Sequence, residues 1–536
     1  LSLEALVYCD LKKIEYLDPE DIIEKNFYEE ASYSCSESLK NLNLNKVKFD
    51  FIKNEIKSII RFKFNQIAFL IEIIENVKKK QKISEIFLTN KYSSVEYDVM
   101  TVYPGYNFTN IENILFDIFK DDEIKILKIN EKRNYINQNF CSKYKIVGLR
   151  YKKKNKILFS NSAYNFRRLI IYLLKKRYKV SILNERMPKI KKFLFKIIGI
   201  EIIEFKKVKN VSSNKNYDFN QNFHFKKFNI TNLIKNQIKN SSDYLFDLEN
   251  RYEALAKFFD SSHIKLVISN SNRDVGAILV ENALRKKIKS LMVSHGTIAE
   301  SFDKNDEVYK KIIAEGVFSG RANFHAIQSK ITASSLKTHK LLGEPIITGN
   351  LVFAEKKRFS KHKKFKCLYA VTNKPFSAMQ LFGLEMYYEF FNNLKNLENL
   401  SKEDNYNFCV HLHPGAKSSI LLLKKRFKNL NFTTGRIERS LKDASVTLSY
   451  SSTVIEDSLH YKVPVILFDT RSRYKHCESE LNPNIKNKSI YYINDNNNLK
   501  KCIETIKKSK NIEFEDHVFL EDSKENIKKL FSNIIQ

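Results

Sequence analysis

The regular alternation of short apolar strands with helices constrains the fold of this 536-residue chain more than any other feature. The clearest series begins at residues 156–160 (KILFS), which a helix and then the strand 179–183 (KVSIL) follow. Consecutive strands that are separated by helices pair in parallel, and the helices then cover the faces of the sheet. The sequence therefore predicts an α/β protein with largely parallel sheets.

Two such series follow one another, joined near residues 350–365. Because a chain of this length exceeds what one hydrophobic core supports, we predict two Rossmann-like domains that face a cleft, the arrangement called GT-B. An additional α/β region precedes them, and residues 208–240, rich in Asn, Lys and Ser, are predicted to be a loop or an insertion. The predicted boundaries are residues 1–140 for the N-terminal region, 141–355 and 366–493 for the two Rossmann-like domains, and 494–536 for C-terminal helices.

The formal charge of +32, from 93 Lys and Arg against 61 Asp and Glu, limits the range of partners. Such a field attracts nucleic acid, anionic lipid and nucleotide substrates alike. Heavy use of Lys, Asn and Ile with no Trp also indicates a compositional bias, so the charge is equally consistent with a solvated surface that has no single partner. Since no base-stacking or helix-turn-helix module is recognisable, nucleic acid is the least favoured of these partners.

The seven cysteines are scattered and form no CxxC pair, which predicts reduced thiols in a cytoplasmic protein and supports neither a zinc site nor a disulfide framework. No segment approaches the roughly 18 to 20 uninterrupted apolar residues of a spanning helix.

The basic, aromatic segment 150–196 has two interpretations. One is peripheral docking on an anionic membrane surface, at its inner face, and the other is the lysine-rich outer face of an ordinary α/β layer.

The first motif that points to chemistry is NFCVHLHP, residues 407–414, at the end of an apolar strand and before a helix. Alternation along the strand predicts that His411 and His413 lie on the same side, and Pro414 suits the first turn of the helix. Open parallel sheets bind ligands at the carboxyl ends of their strands, where imidazoles could donate hydrogen bonds to an anion. A structural or solvated histidine pair is the alternative.

The second motif places four aliphatic hydroxyls within five residues, at the next transition from strand to helix. They belong to Ser449, Ser451, Ser452 and Thr453. One such hydroxyl is explained by capping of the helix, but four in this position suit phosphate oxygens better. Glu456, one helical turn further on, either reaches a ribose hydroxyl or is a first-turn acid that the helix dipole favours.

Several common catalytic motifs do not occur in the sequence, among them GxGxxG, GxxxxGK[ST], HExxH and GxSxG. Their absence argues against dinucleotide oxidoreductases, P-loop NTPases, zincins and serine hydrolases. We predict no metal site and no cofactor other than an activated nucleotide donor that serves as substrate.

The pair HLHP and SYSSTVIEDSLHYKVPVI resembles the nucleotide-binding domain of GT-B glycosyltransferases of bacterial surface-polysaccharide synthesis. It is similar to sialyl- and Kdo-transferases with HP and Ser-Ser/Thr motifs, and to CDP-glycerol glycerophosphotransferases. The resemblance implies that His413 and Pro414 contact the phosphate and ribose of a donor nucleotide. It likewise implies that Ser451 and Ser452 hold phosphate and that Glu456 binds the ribose.

The segment Ser294-His295-Gly296-Thr297 is similar to a His-Gly-Thr segment of the glycerophosphotransferases and related capsule proteins. The resemblance implies His295 as the catalytic base, and the ordinary pKa of histidine suits that role. A loop histidine that hydrogen-bonds across the domain interface is the alternative. The sialyltransferases instead use an acid from an Asp/Glu-Asp/Glu-Gly triplet, which this chain lacks, so Asp274 and Glu300 are further candidates for the base.

The resemblance covers roughly residues 265–470 and implies an inverting, metal-independent transferase. Its donor would be a CMP-, CDP- or UDP-activated sugar or glycerol phosphate, and its acceptor a surface polysaccharide or lipid-linked glycan. A sugar-nucleotide epimerase on the same fold is one alternative, although such enzymes usually place several acids and an arginine in the cleft. A basic glycan- or nucleic-acid-binding protein without turnover is another.

Overall fold

The computed structural model describes most of the chain. The described residues are 3–24, 26–89, 115–116, 124–129, 141–148, 156–161, 166–183, 187–211, 215, 217–294, 298–318, 320–352, 365–371, 387–403, 406–472, 474–519 and 523–535.

Three helices dominate the N-terminal region, α1 (Leu3–Lys12), α2 (Phe27–Lys40) and α3 (Asp50–Lys80). The 31-residue α3 is long because apolar side chains recur at helical spacing along its whole length. Two short strands, β1 (Glu85–Thr89) and β2 (Lys125–Ile129), pair in parallel. The region therefore combines a helical layer with a small parallel strand pair.

An eight-stranded sheet forms the core of the first Rossmann-like domain. Its strands, in chain order, are β3 (Cys141–Val147), β4 (Lys156–Phe159), β5 (Lys179–Leu183), β6 (Glu201–Val211), β9 (Ile264–Ser269), β10 (Lys289–Met292), β11 (Phe324–Ile327) and β12 (Glu344–Ile347). The spatial order is β12-β11-β10-β9-β4-β5-β6-β3, and every pair is parallel except β3 with β6. A small hairpin, β7 (His224–Phe225) with β8 (Phe228–Asn229), lies outside this sheet.

Among the described residues, seven α-helices accompany the first domain. They are α4 (Arg167–Lys175), α5 (Lys189–Ile197), α6 (Thr231–Asn240), α7 (Ser242–Asp260), α8 (Asp274–Arg285), α9 (Lys304–Val317) and α10 (Lys330–Ser334). The prediction of a loop over residues 208–240 was wrong at both ends, because β6 extends to Val211 and α6 occupies the last ten residues. Burial of Leu233, Ile234 and Ile238 stabilises α6, although its Asn and Lys content suggests a loop.

The second Rossmann-like domain is a six-stranded sheet in which every neighbouring pair is parallel. Its strands are β13 (Cys367–Tyr369), β14 (Phe408–Leu412), β15 (Asn431–Thr434), β16 (Val446–Ser449), β17 (Val465–Phe468) and β18 (Ile490–Ile493). Their order, β15-β14-β13-β16-β17-β18, is that of a dinucleotide-binding fold. The predicted fold class, α/β with two Rossmann-like domains, is confirmed by these two sheets.

Six helices complete the second half of the chain. They are α11 (Tyr387–Glu403), α12 (Ile420–Arg426), α13 (Ile437–Leu441), α14 (Val454–His460), α15 (Asn496–Lys507) and α16 (Ser523–Ile535). Helix α16 packs on the first domain, where Phe531 stacks on Tyr172 with ring centroids 5.7 Å apart. The Lys289 Nζ also donates to the Ile534 carbonyl oxygen at 2.8 Å. The end of the chain thus crosses from the second domain to the first.

Each sheet has a point where the strand order reverses, and ligands of open α/β sheets bind in the crevice beside that point. In the first sheet the reversal falls between β4 and β9, and in the second between β13 and β16. Among the described helices, none is long and apolar enough to cross a membrane. All seven cysteines are free thiols in the structure.

Candidate functional site

The two sequence motifs flank the central strand of the second sheet at its reversal point. Tyr369 of β13 pairs with Val410 of β14 on one side and with Leu448 of β16 on the other. His413 and Ser451 each lie three residues beyond those partners, so both leave the sheet at the same level. The flanking strands β14 and β16 are two strand spacings apart, a distance of about 10 Å. That distance is comparable to the length of a nucleotide diphosphate. The structure therefore brings the HLHP and SYSS motifs to one crevice.

The two histidines of the first motif have different surroundings. His411 is buried, and its Nδ1 lies 3.2 Å from the Thr433 Oγ1 and 2.9 Å from the Ser440 Oγ. Burial lowers the pKa of His411, although a backbone contact with Gly435 opposes the shift. His413 is half-buried. His411 thus contacts the neighbouring elements β15 and α13, and His413 lies at the exit of the strand.

The chain turns at Pro414, the first residue of a 3-10 helix, Pro414–Ser419, which leads into α12. The backbone N–H of Ala416 donates to the His413 carbonyl oxygen at 2.8 Å, which fixes the turn directly after the histidine. This short, tight helix changes the chain direction immediately after the strand.

The hydroxyls of the second motif divide into three kinds of environment. Ser449 is fully buried, and none of the described residues hydrogen-bonds its Oγ. The Ser452 Oγ accepts a hydrogen bond from the Val454 backbone N–H at 3.3 Å, the local bond expected of a helix start. Ser451 and Thr453 are half-buried, and the Thr453 side chain does not cap α14. Capping therefore accounts for one of the four hydroxyls.

Glu456 occupies the interface between the two domains. It lies on α14, is fully buried, and accepts a short hydrogen bond from the Ser329 Oγ of the first domain. The Thr332 Oγ1 lies 3.4 Å from the same carboxylate oxygen. Ser329 follows β11 at the carboxyl edge of the first sheet, and its Oγ also accepts from the Thr332 backbone N–H at 3.0 Å. The carboxyl edges of the two sheets thus meet at this bond.

The sequence did not identify Ser329 as a site residue, although a local signal was present. A serine after the strand and three residues before a threonine hydroxyl is typical of a helix start. That signal predicts a helix cap. It does not indicate the bond to Glu456, which lies 127 residues further along the chain.

His295, the residue that the resemblance implies as the base, lies with Gly296 and Thr297 outside the described residues. The preceding Ser294 is buried, and its carbonyl oxygen accepts from the Gln328 Nε2 at 2.7 Å. The Gln328 Oε1 in turn accepts from the backbone N–H groups of Leu351 and Val352, both at 3.1 Å. Gln328 therefore connects Ser294, which follows β10, with the residues that follow β12.

A second polar group lies at the reversal point of the first sheet. The Asn161 Nδ2 donates to the Asn270 Oδ1 at 2.9 Å, and the Ser160 Oγ lies 3.4 Å from the same oxygen. Asn161 and Ser160 follow β4, and Asn270 follows β9, so these side chains close the crevice between the two strands. The sequence does not indicate these three residues as site residues, because neither segment carries a recognisable motif.

Asp274 is the first residue of α8 and has a φ of +51°, in the left-handed region. Its backbone N–H donates to the Glu55 Oε1 of α3 at 2.6 Å. Burial raises the pKa of Asp274 to about 7, and the negative charge of Glu55 reinforces the shift while Arg251 opposes it. The other candidate acid, Glu300, forms an ion pair with Lys337 at 2.7 Å.

Within the described part of the chain, no group of three or more His, Cys, Asp and Glu side chains is placed as a metal site requires. The geometry described above instead offers hydroxyls, amides and imidazole groups, which bind anions through hydrogen bonds.

No family model and no curated protein matches the chain. Among solved structures, it is similar to the UDP-GlcNAc 2-epimerase from Methanocaldococcus jannaschii, with 12% identity over 71% of this chain and 100% of that chain and a TM-score of 0.40. It is similar to S. aureus MnaA in its UDP co-structure, with 12% identity, coverage of 71% and 96%, and a TM-score of 0.43. The wall teichoic acid polymerase TagF gives 12% identity, coverage of 72% and 89%, and a TM-score of 0.37. Likeness at this level assigns neither a family nor an activity to the chain.

Proposed function

We propose that this chain is a nucleotide-dependent glycosyltransferase. It transfers a sugar, or glycerol phosphate, from a CMP-, CDP- or UDP-activated donor to a surface polysaccharide or lipid-linked glycan. The observation that supports this proposal is the placement of His413 and Ser451 on either side of the central strand β13, at the reversal point of a six-stranded dinucleotide-binding sheet.

In this proposal the phosphate of a CMP-activated donor, or the diphosphate of a CDP- or UDP-activated donor, lies across the end of β13. Ser451 and Thr453 are half-buried beside the end of β13, so their side chains are placed where the donor phosphate is proposed to bind. His413, half-buried on the other side of β13, donates to the same phosphates. Ser452 is already engaged with a helix amide and orders the turn that presents its neighbours.

The acceptor side is assigned to the first domain, whose carboxyl edge meets the second domain at Ser329. Inverting transfer needs a base that removes the proton of the acceptor hydroxyl while the nucleotide leaves. His295 is the proposed base on the strength of the sequence resemblance. Gln328, whose Nε2 donates to the Ser294 carbonyl oxygen, is proposed to fix the residue that directly precedes His295 in the sequence.

A thermal-shift panel tests the donor site. CMP, CDP, UDP and GDP are added to the wild type and to the Ser451→Ala and His413→Ala variants. Saturation at about 100 times the Kd stabilises a folded protein by about 2.7 kcal/mol, and each variant should shift the midpoint of a nucleotide titration about ten-fold or more. His263→Ala and Ser261→Ala are matched controls, because both residues are exposed and precede β9 in the first domain, outside the six-stranded sheet that carries the proposed donor site.

The expected result is stabilisation by at least one pyrimidine nucleotide that is weakened in both site variants and kept in both controls. Absence of stabilisation by any nucleotide would refute the donor site. Equal weakening in the controls would show that the residues at the end of β13 are not responsible.

A product analysis separates transfer from epimerisation. Nucleotide sugars are incubated with and without a glycan acceptor, and free nucleotide and sugar configuration are followed by NMR. Acceptor-dependent release of nucleotide supports the proposed transferase. Conversion of the sugar configuration with no acceptor and with the nucleotide still attached would instead establish a sugar-nucleotide epimerase at the same site.

A further inference from the structure

Helix α5 carries an apolar face that is exposed. Ile190, Phe193, Leu194 and Ile197 recur at the i, i+3, i+4 and i+7 spacing of one helix face, and they are 77%, 64%, 54% and 65% exposed. None of the nine residues of α5, all of which the structure describes, is buried. A surface helix of a globular protein ordinarily turns such a face toward the core, so this arrangement calls for a partner outside the described chain.

The helix is nevertheless anchored to the domain by its opposite side. Phe195 packs against the apolar cluster that contains Ile200, and Lys192 forms an ion pair with Glu204 of β6 at 2.5 Å. These contacts fix the orientation of α5, because a helix held through Phe195 and Lys192 keeps the other face outward. The exposed face is therefore a defined feature of the folded domain.

Positive charge surrounds this apolar face. Lys189 and Lys196 are exposed near its two ends, and Lys191 lies between them with its Nζ over the ring of Phe195 at 5.3 Å. The sequence contains no acidic residue from 187 to 200. After Glu204, β6 continues with further exposed lysines, which are Lys206, Lys207 and Lys209. Apolar side chains bordered by lysines are the pattern of a helix that lies in a bilayer interface.

Two occupants could cover such a face, namely a lipid surface and a second copy of this chain. A two-fold symmetric contact would bring the same lysines of both copies together, and like charges at an interface are unfavourable. An anionic bilayer presents the complementary charge and accepts apolar side chains below its headgroups. The charge pattern therefore favours lipid over self-association.

We propose that the α5 face, defined as Ile190, Phe193, Leu194 and Ile197 with the bordering Lys189 and Lys196, docks this protein on an anionic phospholipid bilayer. The sequence indicated a membrane surface only as one interpretation of the long segment 150–196. The structure narrows the contact to one helix face. The proposal does not depend on the proposed transferase activity, because docking is measured without nucleotide or glycan.

The test is cosedimentation of the full chain with vesicles, one set of phosphatidylcholine alone and one of equal parts phosphatidylcholine and phosphatidylglycerol. The apolar variant is Phe193→Ser with Leu194→Ser, and its matched control is Leu421→Ser with Leu481→Ser, at apolar residues that are 82% and 63% exposed elsewhere. The charge variant is Lys189→Glu with Lys196→Glu. Its control is Lys424→Glu with Lys428→Glu, which changes the net charge equally at other exposed lysines.

We expect binding to the anionic vesicles alone, weakened at least ten-fold by either α5 variant and less than two-fold by either control. One lysine near an anionic surface contributes about five-fold to binding, so two reversals exceed ten-fold. Circular dichroism checks that every variant is folded, which the exposure of the substituted residues favours.

Two outcomes would overturn the proposal. The first is equal vesicle binding by the wild type and the apolar variant, which would leave only a diffuse attraction of the +32 chain to lipid. The second is no vesicle binding together with a wild-type dimer that the apolar variant converts to a monomer by light scattering. That result would assign the α5 face to self-association.

Discussion

The hydrogen bond from Ser329 to Glu456 joins the two domains, and its removal should destabilise the protein measurably. Ser329→Ala removes a bond to a buried carboxylate, worth about 1.5–3 kcal/mol, because water does not replace it at a fully buried site. It also removes the bond that the Thr332 backbone N–H donates to the Ser329 Oγ, worth about 1 kcal/mol as a helix cap. The expected loss is about 3 kcal/mol of unfolding free energy.

Three further variants separate these two contributions. Ser329→Gly should lose only the interdomain bond, because glycine at a helix start costs a few tenths of a kcal/mol relative to serine. Glu456→Gln keeps an acceptor oxygen but removes the charge, so about half of the bond energy should remain. Ser335→Ala is the matched control, since the buried Ser335 Oγ donates to the Thr332 carbonyl oxygen at 2.7 Å within the same short segment.

Urea unfolding of the wild type, the single variants and the double variant Ser329→Ala with Glu456→Gln gives the coupling energy between the two side chains. We expect a coupling of about 1 kcal/mol or more, since residues in direct contact are not additive. Additivity within about 0.3 kcal/mol would refute the reasoning. So would a loss in Ser329→Ala no larger than that in Ser335→Ala, because the whole effect would then lie within the first domain.

Two buried ionisable groups predict how stability changes with pH. Burial lowers the pKa of Lys63 to about 7 from 10.5, so between these pH values the unfolded chain binds one proton more than the folded chain. The unfolding free energy should therefore rise with pH across that window. Urea unfolding at several pH values should show this rise in the wild type and not in Lys63→Met. Burial raises the pKa of Asp274 to about 7 from 3.8, so the folded chain binds the extra proton and the unfolding free energy should fall as pH rises from about 4 to 7. Asp274→Asn, which keeps the shape of the side chain and tolerates its positive φ, should remove that fall, and parallel pH curves for wild type and either variant would contradict the assignment.

The parallel sheets could be predicted because their signal is local. Each apolar run such as KVSIL predicts a strand by itself, and the helix that follows forces a parallel pairing, so the fold class needs no long-range information. The sequence did not indicate the strand β18, although its residues IYYI are apolar and largely buried, because an apolar run of four residues does not by itself distinguish a strand from a helix segment. Local periodicity likewise failed for α6, where Asn and Lys dominate the composition.

The candidate site was predictable in position and not in its contacts. His413 follows β14 and Ser451 follows β16, and both strands neighbour β13 in the sheet. The sequence indicates the two βα units that carry these residues. That His411 contacts Thr433 and Ser440 depends on how β15 and α13 pack, and no pattern in the HLHP segment indicates it. The bond between Ser329 and Glu456 depends on how two separate domains meet, which lies beyond any reading of local sequence.

The N-terminal helices, which lie outside the segment that the resemblance covers, contact both domains. On the second domain, Asp10 of α1 forms ion pairs with Lys395 at 2.9 Å and with Arg426. On the first domain, Arg61 of α3 pairs with Glu315. One region of the chain therefore binds both Rossmann-like domains, at a place separate from the bond at Glu456. Because these ion pairs and the bond at Glu456 lie at separate places, they restrict a relative rotation of the two domains more than either contact does alone.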